Sequence, residues 1–222
     1  MIKKVIDKLI HKLAIKLYYQ NRRIAKNLLP KFGRLGKETN IDLPFQIDGS
    51  ERIYIGDNVK IGPGSMLRAQ SRYPGGKMKH PEGEHREQFF DSNISIGNRV
   101  TATGTLQVVA FEKITIEDDV MFASNIFICD GFHCYERTDV PYKYQGITGI
   151  SPITVEYGSW IGQNVVIMPG VTVGKMSIIG ANSVVTRDIP PRCIAVGVPA
   201  KVIKRWNEKE RAWEKVTQEV SI

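Results

Sequence analysis

Four histidines are the side chains of this sequence best suited to moving protons near neutral pH: His11, His80, His85 and His133. His80 and His85 stand five residues apart, a spacing that with a third histidine would suit a zinc-bound water. They lie, however, in the charged run Lys77-Met78-Lys79-His80-Pro81-Glu82-Gly83-Glu84-His85, where Pro81 and Gly83 argue for irregular backbone. No metal is therefore expected. His11 falls among lysines in a basic helical pattern and reads as a solvent-facing residue. His133 is different: it closes the apolar segment Ile128 to Phe132 and opens a stretch, 133–152, where the surrounding pattern breaks down. Long irregular segments in a regular scaffold tend to carry function, and a histidine at the mouth of one is placed to act as a general base.

The pattern that breaks there is a period of six. From Val155 to Ile189 an aliphatic residue returns at Val155, Ile161, Ile167, Val173, Ile179 and Val185. Four residues after each comes a second series: Ser159, Val165, Val171, Ser177, Ser183 and Ile189. Helices need apolar spacings of three and four and strands need alternation, so a six-residue period fits neither as a long element. It fits short strands joined by tight corners, three hexads to a coil, in a triangular parallel β-solenoid. Inward residues then stack on their equivalents about 4.8 Å away along the axis, which suits small and β-branched aliphatics. Corners need positive φ or a compact side chain, which explains Gly158, Gly162, Asn164, Gly170, Gly180 and Asn182. The hand of the coil does not follow from these residues.

Along the chain, hexads are recognisable from about Ile53, at Ile55-Gly56-Asp57-Asn58-Val59 and Ile61-Gly62-Pro63-Gly64-Ser65. They lapse near 68–93, resume at Ile96, lapse again over 133–152, and then run regularly. The organisation expected is a basic helical segment at 1–37, a solenoid domain over 38–204 with two excursion loops, and a closing helix at 205–222 carrying Trp206, Trp213, Val216 and Val220. Of the net charge of +8, residues 1–37 supply eleven Lys or Arg against the single Asp7, leaving the solenoid close to neutral. Ile2, Val5, Ile6, Leu9, Ile10, Leu13 and Leu17 recur at helical spacing while Lys4, Lys8, Lys12 and Lys16 line another face. Such a helix suits packing on its own oligomer or attachment to an anionic membrane surface. The basic residues are not interleaved with a reading motif, so nucleic acid is not an expected partner. No apolar run reaches ~18 residues, so no membrane span is expected. An odd number of cysteines (Cys129, Cys134, Cys193) without a recognisable secretory signal points to reduced thiols and the cytoplasm.

The segment Trp160-Ile161-Gly162-Gln163-Asn164-Val165-Val166-Ile167-Met168-Pro169-Gly170-Val171 resembles the penultimate coil of galactoside and maltose O-acetyltransferases. Ile179-Gly180-Ala181-Asn182-Ser183-Val184-Val185-Thr186-Arg187-Asp188 resembles the coil that follows, and Gly197-Val198-Pro199-Ala200-Lys201-Val202-Ile203-Lys204 the exit from the solenoid. The resemblance, to the hexapeptide-repeat acyltransferases, covers roughly 94–205. It implies a left-handed parallel β-helix, a homotrimer with sites between subunits, and acetyl-coenzyme A as co-substrate. His133, eight residues after Asn125, corresponds to the catalytic histidine of the galactoside group. Related polysaccharide acetyltransferases carry Asp-His-x-His at this point, whereas this chain reads Asp130-Gly131-Phe132-His133, with only the second histidine. The resemblance further implies that Gln163, Ala181, Thr186, Arg187, Lys201 and Lys204 contact coenzyme A, with lysines where relatives have arginines. A backbone amide near Gly162 or Gln163 is expected to hold the oxyanion.

Asp130 or Glu136 is expected to orient His133. Acceptor contacts are expected from Gln107, Asn125 and the loop residues Tyr142, Tyr144 and Gln145, and Trp160 would wall the acyl pocket or pack between subunits. The function expected is O-acetylation of a sugar in a surface polysaccharide or its lipid-linked precursor. Alternatives are a nucleotide-sugar amine, serine or an antibiotic as acceptor, a metalloenzyme of the γ-carbonic anhydrase type, and a non-catalytic scaffold.

Overall fold

The computed structural model describes residues 2–74 and 87–216. A long helix, α1 (Ile2–Leu28), leads into a triangular prism whose three faces are parallel β-sheets. The first face stacks Arg34–Leu35, Ile53–Ile55, Asn93–Ile96, Lys113–Ile116, Ile153–Val155 and Thr172–Val173. The second runs from Asn40–Ile41 through Lys60–Ile61, Thr101–Ala102, Met121–Phe122, Trp160–Ile161 and Ile178–Ile179 to Cys193–Val196. The third stacks Phe45–Asp48, Ser65–Ala69, Leu106–Ala110, Ile126–Cys129, Val166–Ile167 and Val184–Val185.

The register explains why only part of this is periodic in sequence. Trp160 pairs with Ile178, three strict hexads further along the chain. Earlier coils are wider: Asn40 pairs with Lys60 and Thr101 with Met121, in each case two positions beyond three hexads. The last turn is narrower by the same amount, with Ile178 opposite Ile194. The prism therefore begins at Arg34, a full coil before the expected start near Ile53: Leu35, Ile41 and Ile47 are spaced by six, but two extra residues before Ile55 put this coil out of phase with the hexads that follow.

The core is a set of aliphatic columns. On the second face Ile41, Ile61, Ala102, Phe122, Ile161, Ile179 and Ala195 succeed one another, all buried. Phe122, the largest of the fully buried side chains, sits next to the small Ala102, which keeps the column at native density. The recurrent serines face inward as well. Ser159, Ser177 and Ser183 are 0% exposed and donate to the carbonyls of Gly174, Pro190 and Gly180, so each polar group is satisfied where it is buried.

The carboxyl end departs from expectation. Where a helix is expected from 205 onward, the described residues up to 216 form strands instead: Lys201–Asn207 pairs antiparallel with Cys193–Val196, and Ala212–Lys215 pairs antiparallel with Lys201–Asn207. Trp206 lies opposite Trp213 with the rings edge to face, centroids 5.4 Å apart. A cross-strand tryptophan pair on the free edge of a sheet outcompetes a short helix with few packing partners. Val220 lies outside the described residues. No helix among the described residues is long and apolar enough to cross a membrane.

Candidate active site

Two corners flank the third face, and the chemistry-bearing residues are divided between them. At the corner joining the second and third faces, the chain turns through Gly62-Pro63-Gly64, Gly104, Ser124-Asn125, Gln163-Asn164 and Ala181-Asn182 in successive coils. Asn125, Asn164 and Asn182 all adopt positive φ, between 59° and 61°. Asparagine tolerates that conformation, and its side chain gains a partner here: Asn125 Nδ2 donates to Asn164 Oδ1 at 3.2 Å, and Asn164 Nδ2 to Asn182 Oδ1 at 2.9 Å. The acceptor role expected for Asn125 thus competes with a ladder that already uses its amide.

The same corner carries a row of backbone donors. Ala123, Gly162 and Gly180 give their N–H groups to the coil above, Gly162 to Ile179 O at 2.8 Å. The amides one residue further on, at Ser124, Gln163 and Ala181, donate to nothing among the described residues. Of the two amides expected to hold an oxyanion, that of Gly162 is taken by its ladder bond, while that of Gln163 is open. Gln163 and Ala181 are both exposed. Lys201 lies one step further along this edge, opposite Val196, and Lys204 is half-buried opposite Ile194. Trp160, 45% exposed, is in the outward row of the second face with Met121, Ile178 and Ile194. Gln107 stands on the outer surface of the third face between Met66 and Phe127.

The other corner, between the third and first faces, is where the period fails. Asp130 is fully buried there and accepts from the backbone N–H groups of Phe111 (2.6 Å), Glu112 (2.9 Å) and Lys113 (2.8 Å). Burial pushes its carboxyl above the ordinary range, with the three amides pulling the other way. Asp130 is thus committed to the neighbouring coil, which removes it as the orienting partner of His133. Glu136 is exposed and makes no hydrogen bond or ion pair with His133 among the described residues. Burial also drives the Cys129 thiol to about 11, and it donates to Gly131 O, so no thiolate nucleophile is available beside the histidine.

Both excursions leave from this corner and clasp each other. Phe132–His133 pairs antiparallel with Ile147–Thr148, which fixes the backbone of His133 at the base of the second excursion. From the first excursion, Gln88 completes a strand-like pair on that hairpin: Ile147 N donates to Gln88 Oε1 at 2.6 Å and Gln88 Nε2 to Ile147 O at 3.0 Å. Tyr73 donates its hydroxyl to Lys143 O and sets its ring edge-on to His133, centroids 5.3 Å apart. Burial raises the Tyr73 pKa, which keeps the phenol a donor. Neither Tyr73 nor Gln88 stands out in the sequence, since only contact between two irregular loops reveals them. The His133 side chain itself remains exposed.

Gln145 is nearly buried and closes its own loop, accepting from Arg137 N and donating to the carbonyls of Arg137 and Val140. It is a structural tie and not an acceptor contact. Tyr142 stays exposed, and Tyr144 lies under Lys143 Nζ at 4.8 Å. Thr186 and Arg187 are exposed at this same third–first corner, not beside Ala181. His80 and His85 lie outside the described residues. Among those described, no three His, Cys, Asp or Glu side chains could hold a metal ion.

One strand of the third face, roughly 13 Å at ~3.3 Å per residue, thus separates His133 from the amide row of its own chain. The exposed histidine and the open amides of one chain thus lie at different corners.

Comparison with known proteins bears on what these corners serve. Residues 152–187 match the bacterial transferase hexapeptide model, described as six repeats. The chain is 39% identical over 122 residues to galactoside O-acetyltransferase of Escherichia coli (strain K12), covering 55% of this chain and 59% of that protein. A Schizosaccharomyces pombe protein named as an acetyltransferase is 32% identical, with 68% and 74% covered. An Escherichia coli protein named for O-acetyl transfer in lipopolysaccharide biosynthesis is 29% identical, with 91% and 89% covered. Among solved structures, galactoside acetyltransferase in complex with coenzyme A superposes with a TM-score of 0.54 at 30% identity, over 78% of this chain and 73% of that one. The Bacillus cereus N-acyltransferase AntD reaches a TM-score of 0.62 over 81% and 87% at 20% identity, a likeness of fold alone.

Proposed function

The chain belongs to the hexapeptide-repeat acetyltransferases, and from that premise we propose that it transfers an acetyl group from acetyl-coenzyme A to a sugar hydroxyl. The observation that carries the reading is the pairing of an exposed histidine, fixed at the base of two clasped loops, with a row of unpartnered amides one strand away.

In this reading His133 takes the proton of the acceptor hydroxyl as its oxygen attacks the thioester carbonyl. The Gln163 N–H receives the negative charge that develops on the carbonyl oxygen. The C–S bond then breaks, and the proton held by His133 passes to the leaving sulfur. No covalent enzyme intermediate is needed. The amide of Ala181 and the cations of Lys201 and Lys204 would line the extended arm and phosphates of the co-substrate.

Because the exposed histidine and the open amides of one chain lie at different corners, the complete site needs a second copy, and a homotrimer with left-handed coils is part of the proposal. The outer surfaces support it. In the later coils the second and third faces present Met121, Trp160 and Ile178 and Phe127, Val166 and Val184, whereas the first presents Thr115, Thr154 and Thr172; the earlier coils carry Asn40, Lys60 and Thr101, Gln46, Met66 and Gln107, and Tyr54 and Ser95 on the same three rows. Apolar rows on two faces favour coverage by other copies. A saccharide of a surface polysaccharide, or its lipid-linked precursor, is the proposed acceptor, and the relative named for lipopolysaccharide biosynthesis, aligned over nearly the whole chain, supports it. The cytoplasm is the proposed compartment.

The test is thiol release from acetyl-coenzyme A with a panel of galactosides, nucleotide sugars, amino sugars and lipid-linked saccharides, comparing wild type with His133→Ala. Acceptor-dependent release that is lost in the variant is the expected result. Unchanged turnover in His133→Ala would remove the histidine from the mechanism.

A further inference from the structure

Helix α1 offers a surface that the solenoid does not use. Ile6, Leu9, Ile10, Leu13, Leu17 and Ile24 are between 49% and 62% exposed. At 100° per residue they fall within an arc of about 100°. Lys8, Lys12, Lys16, Arg23 and Lys26, all exposed, occupy a neighbouring arc of about 80°. Among the described side chains of the helix only Ala25 is buried, and it points roughly 100° away from the centre of the apolar stripe, on the side opposite the lysines. The helix therefore rests on the first coil through a different flank, and both the stripe and the basic arc are left for something else.

We infer that this surface docks onto an anionic lipid bilayer, with the helix lying in the plane of the headgroups. Apolar side chains would enter the acyl boundary while the lysines meet phosphates at its edge, the arrangement that a stripe beside a cationic arc satisfies. Charge selects the lipid over a second copy of the helix. Residues 1–37 carry +10, and parallel copies of such a segment repel one another. A coiled-coil seam at spacings of three and four would also run Ile10, Leu13, Leu17, Gln20, Ile24 and Asn27, putting amides at two of six positions. The helix at ~40 Å is long enough to span a bilayer but too charged to enter it, which leaves the interface.

The experiment is co-sedimentation of the full chain with vesicles of phosphatidylcholine alone or with 30 mol% phosphatidylglycerol (about a third anionic), alongside light scattering. Partition onto the anionic vesicles at least tenfold above the zwitterionic ones is expected, weakening in high salt. The Leu9→Glu/Leu13→Glu variant should lose it, and each of Lys8→Gln, Lys12→Gln and Lys16→Gln should weaken it roughly fivefold. These positions are exposed, so the solenoid should keep its melting temperature. Equal partition onto both vesicle types, or full binding by the double-leucine variant, would overturn the inference. A fall in oligomer mass in that variant without vesicle binding by wild type would assign the stripe to helix–helix packing instead. The assay requires no acceptor, so it stands or falls separately from the acetyl-transfer reading.

Discussion

The two corners flanking the third face solve opposite problems with the same chain. At the second–third corner three later coils repeat one another: an asparagine at positive φ (Asn125, Asn164, Asn182), a side-chain ladder along the axis, and an outward amide at each step. At the third–first corner the coil is interrupted twice, and the inserted loops hold one exposed histidine by contacts that occur once each. Repetition suits an extended ligand that runs along the axis and needs donors at intervals. Interruption suits a single reacting atom. Catalysis in this reading needs both, which is why a regular solenoid alone is insufficient.

The largest effect expected from breaking this division is loss of the reactive edge. His133→Ala should lower kcat by roughly 10³-fold with little change in melting temperature, as measured by thiol release and calorimetry. Asp130→Ala attacks the scaffold beneath that edge. It strands three backbone amides and should cost about 3 kcal/mol, seen as a fall of roughly 6–12 °C in Tm. The repetitive edge should be more forgiving. Asn164→Val forces a β-branched residue into positive φ and cuts the ladder, at about 2 kcal/mol by denaturant titration.

A sharper probe removes one donor alone. Pro63 occupies, three coils earlier in the described stack, the position that Gln163 fills, so the backbone accepts proline there. Gln163→Pro should leave Tm within ~1 °C and raise KM for acetyl-coenzyme A or lower kcat by about tenfold. Co-expressed with His133→Ala, it should restore activity at about a quarter of the sites if each site spans two chains. No recovery would confine the site to one chain.

The smallest effect concerns the thiol next to the irregular corner. Folding raises the Cys129 pKa to about 11 from an ordinary 9.0, so the unfolded chain loses its proton first as pH rises. Stability from this group is intact below pH 9 and is lost between 9 and 11. By pH 10 the loss is about 1 kcal/mol, and Cys129→Ala should flatten that part of the profile.

How much of this can be read from sequence follows the same division. The late coils are legible because each circuit is three whole hexads, which places Gln163 and Ala181 at equivalent corner positions one coil apart. The first coil is less so: Leu35, Ile41 and Ile47 keep the spacing of six, but two extra residues before Ile55 put them out of phase with the hexads that follow. Asp130 suggests a partner for His133 because they are three residues apart, but the turn between them sends the carboxylate inward. Gln145 suggests a sugar contact because nothing in sequence tells that its loop closes on it. The carboxyl hairpin escapes a sequence reading since alternate and helical spacings both accommodate Trp206 and Trp213. Contacts between segments distant in sequence, such as Gln88 with Ile147, carry no local signal at all.

A stack of parallel strands ends in unpaired backbone, an invitation to fibre growth by end-on addition of further copies. Here the carboxyl end reverses direction: two antiparallel strands follow the last parallel one on the second face, with the paired tryptophans on the final rung. The taper from the Asn40–Lys60 circuit through Trp160–Ile178 to Ile178–Ile194 adds a mismatch, since a wide first coil cannot seat on a narrow last one. Chain reversal and taper together make the solenoid self-terminating. Both features disfavour end-to-end stacking of copies, the route by which a repeat architecture becomes a filament.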